Sequence, residues 1–181
     1  METAICTTIK SIARDEWEAC RSSKASGDPF LSYDFFFLLE TSNSVGPKTG
    51  WIPFYITFKD KNIVVGIVVS FLKNHSQGEY VFDHSWADAY ERSGGNYYPK
   101  LQVAVPFTPV SGERILVQSE YEDKVGEMIS SAKRLVEENN LSSLHITFCS
   151  RSFVSVAKKN NLLVREGIQY HWFNRNYKSF D

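Results

Sequence analysis

The sequence predicts an α/β (α+β) fold in which helices cover both faces of a mixed central sheet. The first observation is composition, because 181 residues with 43% hydrophobic and 23% charged side chains are typical of one globular domain. The second is a pair of β-rich runs at 51–58 and 62–72, which predict a hairpin. The third is the alternation of strands and helices that follows, since crossover helices cover the faces of a sheet.

The chain before the hairpin is predicted to form one strand and two helices. Residues 3–9 are rich in Ile and Thr, which suits a strand. Residues 13–22 place Trp17 and Cys20 near one face of a short helix. A second helix is predicted over 31–42, since its apolar residues follow helical spacing and Pro29 precedes it where a helix can start.

The chain after the hairpin is predicted to form a strand and then a long helix. Residues 101–105 alternate as a strand does, and Pro106 ends it because proline has no N–H to donate. Ser119 and Glu122 have the spacing of a capping box. The helix behind them carries one apolar stripe: Val125, Met128, Ile129, Ala132, Leu135 and Val136.

The last third of the chain predicts three further elements. Residues 144–148 form a strand and residues 152–160 a short helix. Residues 162–175 are predicted to form a strand or a strand pair, with a turn or bulge at Gly167. The order of elements also describes the acetyltransferase superfamily called GNAT, although many three-layer folds share it.

Charge and apolar patterning exclude several classes of protein. The net charge of −1 gives no bulk attraction to DNA or to anionic lipid. Residues 1–123 carry 11 basic and 16 acidic side chains (11 − 16 = −5), and residues 124–181 carry 9 and 5 (9 − 5 = +4). The longest apolar run, 63–72, is far shorter than the ~20 residues of a membrane span. We therefore predict a protein without a transmembrane segment.

The cysteines favour a reducing compartment. Cys6, Cys20 and Cys149 are odd in number and far apart, without the spacing of a metal site or a disulfide framework. The N-terminus has no apolar core of signal-peptide length. We predict three reduced thiols and a cytoplasmic location.

Residues 75–114 carry an unusual density of interleaved aromatic and ionisable side chains. The aromatic residues are Tyr80, Phe82, Trp86, Tyr90, Tyr97 and Tyr98, and the ionisable residues among them are Glu79, Asp83, His84, Asp88 and Arg92. Aromatic walls that exclude water, with a few polar groups between them, are typical of a ligand pocket. A loop folded over the sheet edge, with its aromatic rings as a satellite core, would have the same composition. Both interpretations stay open at this point.

A metal site in this segment is the weaker alternative. His75, Glu79 and Asp83 are spaced by four, and with His84 and Asp88 they could bind a metal if the segment were one helix. The glycine at 78 and the β-favouring residues 80–82 argue against that helix. We predict no metal.

The same segment carries a resemblance to a known family. The residues in question are His75-Ser76, Gly78 to Asp83, Trp86-Ala87, Ala89-Tyr90, Arg92, Tyr97 to Leu101, Val105 to Val110, Gly112 and Arg114, together with 46–51. They resemble a bacterial GNAT-related family of peptidoglycan biosynthesis or recognition proteins, related to the Fem-type aminoacyltransferases. The likeness extends from about Pro29 to the end of the chain.

The resemblance implies a fold, an architecture and a chemistry. The fold is the GNAT-like acyltransferase fold, with residues 1–181 as a single GNAT-like domain that corresponds to the N-terminal half of a two-domain architecture. The chemistry is N-acyl or aminoacyl transfer, in which a substrate amine attacks an activated acyl carbonyl. A peptidoglycan-precursor amine or another small-molecule amine is the implied acceptor. A second GNAT-like domain or a homodimer is the implied protein partner.

Site residues follow from the matched motif. Transfer needs a base for the amine, and histidine side chains have a suitable unperturbed pKa, whereas an aspartate would need burial to raise its pKa. The predicted catalytic residues are Asp83, His84, Tyr90 and Lys100. The predicted substrate-binding residues are His75, Glu79, Trp86, Asp88, Arg92, Tyr98 and Phe107.

The donor site is predicted in the loop at 107–114. The resemblance implies a gap between two strands into which acyl-coenzyme A threads, and prolines at 106 and 109 favour a gap because they donate no backbone hydrogen bond. The predicted cofactor-binding residues are Thr108, Ser111, Gly112 and Arg114, with Arg114 as a phosphate clamp.

Two alternatives to acyl-coenzyme A transfer stay open. The coenzyme A loop of GNAT enzymes has the form Gln/Arg-x-x-Gly-x-Gly/Ala, and this loop contains the single glycine Gly112. Aminoacyl-tRNA is therefore the alternative donor, and the basic excess over 124–181 would help to hold RNA. The alternative function is a non-catalytic recognition or interaction domain that keeps the fold.

Overall fold

The computed structural model describes residues 1–21, 25–81 and 83–179. The helices in these ranges are α1 (Arg14–Cys20), α2 (Tyr33–Thr41), α3 (His84–Arg92), α4 (Val125–Glu138) and α5 (Arg151–Lys159). The strands are β1 (Glu2–Cys6), β2 (Trp51–Pro53), β3 (Tyr55–Asp60), β4 (Ile63–Val68), β5 (Ser70–Lys73), β6 (Lys100–Val103), β7 (Ile115–Val117) and β8 (Leu144–Ile146). The predicted helix end at Ser22 lies outside the described ranges.

The predicted central hairpin is confirmed, but each of its arms is shared between two sheets. Interruptions at Phe54 and Val69 separate β2 from β3 and β4 from β5. One sheet has the order β1-β3-β4-β7 and the other the order β2-β5-β6-β8. The β6–β8 pair is parallel and the other pairs are antiparallel, so the prediction of mixed strand directions is also confirmed.

Helices pack on both faces, as the sequence predicts, because neighbouring strand residues point in opposite directions. Tyr55 lies in a core cluster with Trp17 of α1 and Phe36 of α2. The next residue, Ile56, lies in a separate cluster with Met128 of α4. A change of one residue in register would move each set of side chains into the opposite cluster, where it does not fit, so the packing on the two faces determines the pairing of β3.

A long insertion divides the strand that pairs with β4 and β5. Ser70 of β5 pairs with Val103 of β6, and Val68 of β4 pairs with Ile115 of β7. Residues 104–114, called loop 104–114 below, therefore leave the sheet between the residues that pair with Ser70 and with Val68. The strand β6 ends before Pro106, as predicted.

The predicted capping box is wrong. Ser119 lies within a 3-10 helix, Ser119–Lys124, whose N-cap Gln118 makes no side-chain cap hydrogen bond. The helix α4 starts only at Val125, after Lys124 as N-cap. The polar residues before the apolar stripe thus form a separate turn that satisfies its own backbone.

The strand predicted over 162–175 is also wrong. The structure assigns no strand to these residues, and most of their side chains are exposed. A strand requires a neighbouring strand for its backbone groups, and within the described chain this segment has none.

The remaining expectations concern thiols and membrane helices. Cys6, Cys20 and Cys149 are free, as predicted. Among the helices of the described ranges, none combines the length and the apolar character that crossing a membrane requires.

Candidate functional site

The candidate site is built by the segment between β5 and β6. This segment leaves β5 at Lys73, forms α3, and returns to β6 at Lys100. Asp83 is the N-cap of α3, and its carbonyl accepts hydrogen bonds from the N–H groups of Trp86 and Ala87, both at 3.0 Å. Its carboxylate makes no cap hydrogen bond, so it is available for other partners.

Lys100 stands at the centre of a buried ion cluster. Its Nζ donates to Ser76 Oγ at 2.9 Å, to Glu79 Oε2 at 2.8 Å and to Asp83 Oδ2 at 2.8 Å. The lysine is 0% exposed, and the side chains of Glu79 and Asp83 are 1% and 4% exposed. We call these four residues the Lys100 cluster. A buried ammonium with three charge-assisted or polar acceptors is fully hydrogen-bonded, which offsets the cost of its burial.

Two tyrosines extend the Lys100 cluster towards the surface. Tyr97 donates its hydroxyl to Asp83 Oδ2 at 2.8 Å. The hydroxyls of Tyr98 and Ser76 lie 2.7 Å apart. The ammonium of Lys100 also lies 5.3 Å and 5.6 Å from the centres of the two tyrosine rings, within the range of cation–π attraction.

A second buried lysine lies beside the first. Lys73 is the direct cross-strand partner of Lys100 in the β5–β6 ladder. Its Nζ lies 4.0 Å from the centre of the Trp51 ring and donates to the carbonyl of Gln77 at 3.1 Å. Like charges directly opposite each other repel, so the two carboxylates of the Lys100 cluster are needed to neutralise the pair.

The environment shifts the pKa values of these groups in different directions. Burial raises the pKa of Glu79, and the hydrogen bond from Lys100 opposes this rise without cancelling it. Burial also acts on Asp83, but hydrogen bonds from Lys100, Ser76 and Tyr97 outweigh it and lower its pKa. Burial lowers the pKa of Lys73 to about 8. The lowered pKa of Asp83 is opposite to what a base requires, so this carboxylate acts as an anchor of the segment.

A cavity of about 250 Å³ lies on the outer side of the same segment. It is lined by Ser76, Gln77, Gly78, Tyr80, Val81 and His84. We call it the α3 cavity. His84 is the first residue of α3 and is exposed, whereas Ser76 belongs to both the cavity wall and the Lys100 cluster. The cavity thus has an accessible imidazole on a wall that a buried ion cluster holds in place.

Loop 104–114 contacts the wall of the α3 cavity through Phe107. Gly78 has a φ of +77°, and a Cβ added there would lie 2.6 Å from the Phe107 ring. The same ring lies 5.5 Å from that of Trp51. Only glycine fits at position 78, so this close approach couples the cavity wall to the loop.

The other predicted substrate and catalytic residues lie outside the cavity lining. The exposed residues of α3 include Trp86 and Tyr90 along one side of the helix and Asp88 and Arg92 along another. Arg92 Nε donates to the carbonyl of Asp88 at 3.1 Å. His75 Nδ1 accepts from the N–H of Gln77 at 3.2 Å, and partial burial lowers the pKa of His75. Among the predicted site residues, the structure brings together Glu79, Asp83, Tyr98 and Lys100, with His84 nearby. It does not bring the residues described in this paragraph into that group.

The spacing of acidic and histidine residues does not produce a metal centre. The helix begins at His84, so His75, Glu79 and Asp83 do not share one helical face. Within the described ranges, no group of three or more His, Cys, Asp or Glu side chains is arranged to hold a metal ion.

The predicted cofactor-binding residues fasten loop 104–114 to the chain after β8. Arg114 is 1% exposed, and its guanidinium donates to the carbonyls of Val110, Glu113 and Thr147. Burial lowers its pKa to about 10. The N–H of Gly112 donates to the carbonyl of Phe148 at 3.0 Å. Thr108 Oγ1 donates to the carbonyl of Pro106, and Ser111 is exposed. In this arrangement the guanidinium and the Gly112 N–H are already engaged, which does not support Arg114 as a phosphate clamp.

His145 is a neighbour of the site that the sequence does not indicate. It lies on β8, and its ring centre is 5.9 Å from that of Tyr97. Burial, and then the charge of Lys100, lower the pKa of His145 to about 4. No local pattern could reveal this contact, because it depends on the parallel pairing of β6 with β8. Lys73 had a detectable signal in the sequence, since it directly follows the apolar run 63–72 and a lysine at the end of a buried strand requires nearby acids.

Solved structures of acetyltransferases share this fold. A ribosomal-protein-alanine N-acetyltransferase from Brucella melitensis biovar Abortus 2308 aligns with a TM-score of 0.52 and 12% identity, over 96% of this chain and 100% of that one. AAC(6')-Iy, solved with the bisubstrate analogue CoA-S-monomethyl-acetylneamine, aligns with a TM-score of 0.53 and 11% identity, over 96% of this chain and 99% of that one. At such identities the likeness shows the fold, which is the predicted GNAT fold.

Sequence comparison then identifies the family. A search among curated proteins finds no match. The family model named FemAB-like, described as peptidoglycan biosynthesis/recognition, matches residues 8–181. This match includes every residue of the Lys100 cluster, the α3 cavity and loop 104–114. The chain therefore belongs to the FemAB-like family of peptidoglycan biosynthesis and recognition proteins.

Proposed function

We propose that the protein is an N-acyltransferase that transfers an acyl or aminoacyl group to an amine of a peptidoglycan precursor. The fold of acetyltransferases and membership of the FemAB-like family support this reaction class. The observation that carries the proposal is the convergence of motif residues on one cavity. There an accessible His84 adjoins a wall that Lys100 fixes through Ser76, Glu79 and Asp83.

In the proposed mechanism, His84 is the catalytic base. The amine nitrogen attacks the acyl carbonyl carbon, and the bond from that carbon to its sulfur or oxygen leaving group breaks. The proton released by the amine passes to His84, which then returns it to the leaving group or to water. An exposed imidazole at the cavity suits this role better than Asp83, whose carboxylate is already bonded to Lys100 and Tyr97.

Lys100 is a positioning residue in this mechanism. It ties Ser76, Glu79 and Asp83 together across the inner side of the segment, and Asp83 is the N-cap from which α3 and His84 begin. Its ammonium is fully buried, so it cannot contact substrate in this arrangement. A base must be held near its target to be effective, and the Lys100 cluster supplies that constraint.

Exposed aromatic rings beside the cavity support a substrate with a planar ring. Tyr80 lines the α3 cavity, and Trp86 and Tyr90 follow on α3, all with more than half of their side-chain surface exposed. Exposed rings of this kind stack on nucleobases. We therefore propose that a nucleotide part of the donor or of the acceptor binds along this side of α3.

The hydrogen-bond donors of loop 104–114 already have partners within the protein. This favours aminoacyl-tRNA over acyl-coenzyme A as the donor of the transferred group. An acyl-coenzyme A phosphate would have to compete with three carbonyls for Arg114 and with Phe148 for the Gly112 N–H. The basic excess of residues 124–181 provides attraction for RNA phosphates instead.

The same observation favours a second candidate, a recognition domain. A protein that binds a peptidoglycan amine without transferring a group to it needs no donor site. A loop 104–114 whose Arg114 and Gly112 N–H are hydrogen-bonded within the protein is consistent with that function. The α3 cavity would then be the recognition site.

A thermal-shift titration separates these functions, because a ligand that binds only the folded state raises its melting temperature. The probes are acetyl-coenzyme A, free coenzyme A, aminoacyl-tRNA, deacylated tRNA and an amine-bearing peptidoglycan peptide. Stabilisation by aminoacyl-tRNA above that by deacylated tRNA supports the proposed donor, and stabilisation by both coenzyme A species supports acyl-coenzyme A. A response to the peptide without a response to any donor overturns the transferase in favour of recognition.

A further inference from the structure

The chain after α5 exposes aromatic side chains at high density. We call residues 163–177 the aromatic tail. Four of its rings are more than half exposed: Tyr170, Trp172, Phe173 and Tyr177. Tyr170 is 93% exposed and Trp172 is 73% exposed. Large exposed apolar surface among polar residues is typical of an interaction site.

Cationic side chains precede and interrupt these rings. Residues 151–178 carry six basic side chains and one acidic side chain, a net charge of +5 (6 − 1 = +5), so the basic excess of residues 124–181 is concentrated here. The six are Arg151, Lys158, Lys159, Arg165, Arg175 and Lys178, and all are exposed. None of them forms an ion pair with a carboxylate of the described ranges. Their charges are therefore available to an anionic partner.

The rings of the tail form two pairs with nearly parallel planes. The ring centres of His171 and Phe173 lie 6.2 Å apart, with an angle of 24° between the planes. The ring centres of Trp172 and Tyr177 lie 6.1 Å apart, with an angle of 30°. Exposed ring faces next to basic side chains are the surface on which single-stranded nucleic acids stack their bases, whatever the sequence.

A series of contacts places the tail beside the candidate site. Gln169 Nε2 donates to the carbonyl of Pro109 in loop 104–114. Two residues earlier in that loop, the ring of Phe107 packs against Gly78 in the wall of the α3 cavity. The tail adjoins the loop, and the loop adjoins the cavity.

We propose that the aromatic tail binds single-stranded RNA, namely the 3′ end of the aminoacyl-tRNA donor. Bases stack on the exposed rings, and phosphates pair with the cations of residues 151–178. This inference rests on the proposed function, because it assigns a binding surface to the donor named there. The aminoacyl group of such a donor is attached at the single-stranded 3′ end. A surface for that end beside loop 104–114 brings the group towards the α3 cavity and His84.

The backbone of the tail favours RNA over a membrane surface. Aromatic and basic residues also occur together in segments that lie in the lipid interface, but those segments are amphipathic helices, whose backbone groups are hydrogen-bonded internally. The structure assigns no helix or strand to residues 163–177. Their N–H and C=O groups would lose water in the lipid without gaining partners, whereas stacking of bases on the rings leaves the backbone hydrated.

Binding of deacylated tRNA, measured by fluorescence anisotropy, tests the role of the rings. Deacylated tRNA keeps the transfer reaction out of the measurement. Tyr170→Ala/Trp172→Ala should weaken binding by about 5–150-fold for each ring removed, because each stacked base loses its partner. Both side chains are exposed, so the melting temperature should not change. The matched control Leu38→Ala, at a residue that is 61% exposed on α2, should bind as the wild type does.

The salt dependence of the same binding tests the role of the cations. Each phosphate contact with a single strand contributes about 0.7 to the slope of log K against log salt concentration, so Arg175→Gln/Lys178→Gln should reduce the slope by about 1.4. Tyr170→Ala/Trp172→Ala should keep the wild-type slope, because stacking releases no counterions. The matched control Lys48→Gln/Lys61→Gln, at two exposed lysines in the acidic part of the chain, should also keep it.

A tRNA that lacks its single-stranded 3′ nucleotides should bind the wild type less tightly than the intact tRNA does. Equal affinity for the two tRNAs would overturn the proposal, as would equal affinity of Tyr170→Ala/Trp172→Ala and the wild type for intact tRNA. A protein that binds no tRNA, and whose tail instead binds vesicles of anionic phospholipid or a second copy of the chain, would also overturn it. A wild type that binds the 3′ end through the tail but forms no amide would support this surface and contradict only the transferase.

Discussion

At the residue scale, the site depends on a lysine that is buried together with the acids that neutralise it. A lysine enclosed on a central strand would be strongly destabilising alone. Here Glu79 and Asp83 each place one oxygen 2.8 Å from Nζ of Lys100, and Ser76 provides a third acceptor. The motif predicts Lys100 as a catalytic residue, whereas its complete burial supports the proposed positioning role.

Replacement of this lysine should therefore destabilise the fold. Lys100→Met leaves Glu79 and Asp83 buried without their cation, and loss of one partner of a buried pair costs about 3–5 kcal/mol. Urea unfolding of the variant should show this loss in the free energy of unfolding. The control Lys158→Met, at an exposed position on α5, should unfold as the wild type does. Equal free energies of unfolding for Lys100→Met and the wild type would show that the Lys100 cluster does not stabilise the fold.

His145 predicts a specific dependence of stability on pH. Burial lowers its pKa from 6.5 to about 4 in the folded state, so below pH 6.5 the unfolded chain binds a proton that the folded chain does not. The stabilising contribution is complete above pH 6.5 and is lost as the pH falls towards 4. His145→Gln should lose less stability than the wild type between pH 7 and pH 4.5, as measured by urea unfolding at each pH. Parallel curves for the two proteins would contradict a neutral, half-buried imidazole in the folded state.

At the element scale, the apolar periodicity of short sequence segments predicts several helices and strands correctly. The hairpin, the strand before Pro106 and the helix after Lys124 all appear because apolar periodicity decides which face is buried. The capping box fails because residues 119–124 form a separate 3-10 helix, so Ser119 does not stand at the N-terminus of α4. The strand over 162–175 fails because alternation in the sequence does not by itself provide a pairing partner, and this segment pairs with no strand of the described ranges.

Loop 104–114 is the element whose role changes most between sequence and structure. The sequence predicts a phosphate-binding loop. In the structure, Arg114 donates to the carbonyls of Val110 and Glu113 within the loop and to that of Thr147 after β8. A charged donor inside a protein is committed to the acceptors that compensate its burial. The loop therefore stabilises the junction between β7 and the chain after β8.

This role predicts the effect of Arg114→Met. The variant leaves three carbonyls without their charged donor, and each such hydrogen bond contributes about 1.5–3 kcal/mol, so the loss should reach about 3 kcal/mol or more. Urea unfolding measures it, with Arg92→Met on the exposed face of α3 as control. If Arg114→Met keeps its stability but loses coenzyme A binding, the guanidinium serves as a phosphate clamp and its structural role is contradicted.

At the scale of the whole molecule, the fold could be predicted from the order of its elements, and the site only in part. Glu79, Asp83 and Lys100 could be selected because charged residues among aromatic ones point to a pocket. Which of them are buried could not be predicted, because their contacts join positions 17 to 24 residues apart along the chain. His145 could not be found either, since it reaches the site through strand pairing across α4.

The fold of this molecule does not by itself determine its activity. The acetyltransferase fold holds a buried ion cluster on one side of the segment 74–99 and an open histidine on the other. A fold alone does not determine a reaction. The assignment of a transferase therefore depends on what His84 does at the α3 cavity.

The most direct test of that assignment is to measure amide formation by mass spectrometry. An amine-bearing peptidoglycan peptide is incubated with aminoacyl-tRNA or with acetyl-coenzyme A, using the wild type, His84→Gln and, as control on the same helix, Glu91→Gln. We predict a product with the mass of the added acyl group, a rate reduced by about 10²–10⁴-fold in His84→Gln, and an unchanged rate in Glu91→Gln. Full activity of a folded His84→Gln, or no product from either donor with the wild type, would contradict the account.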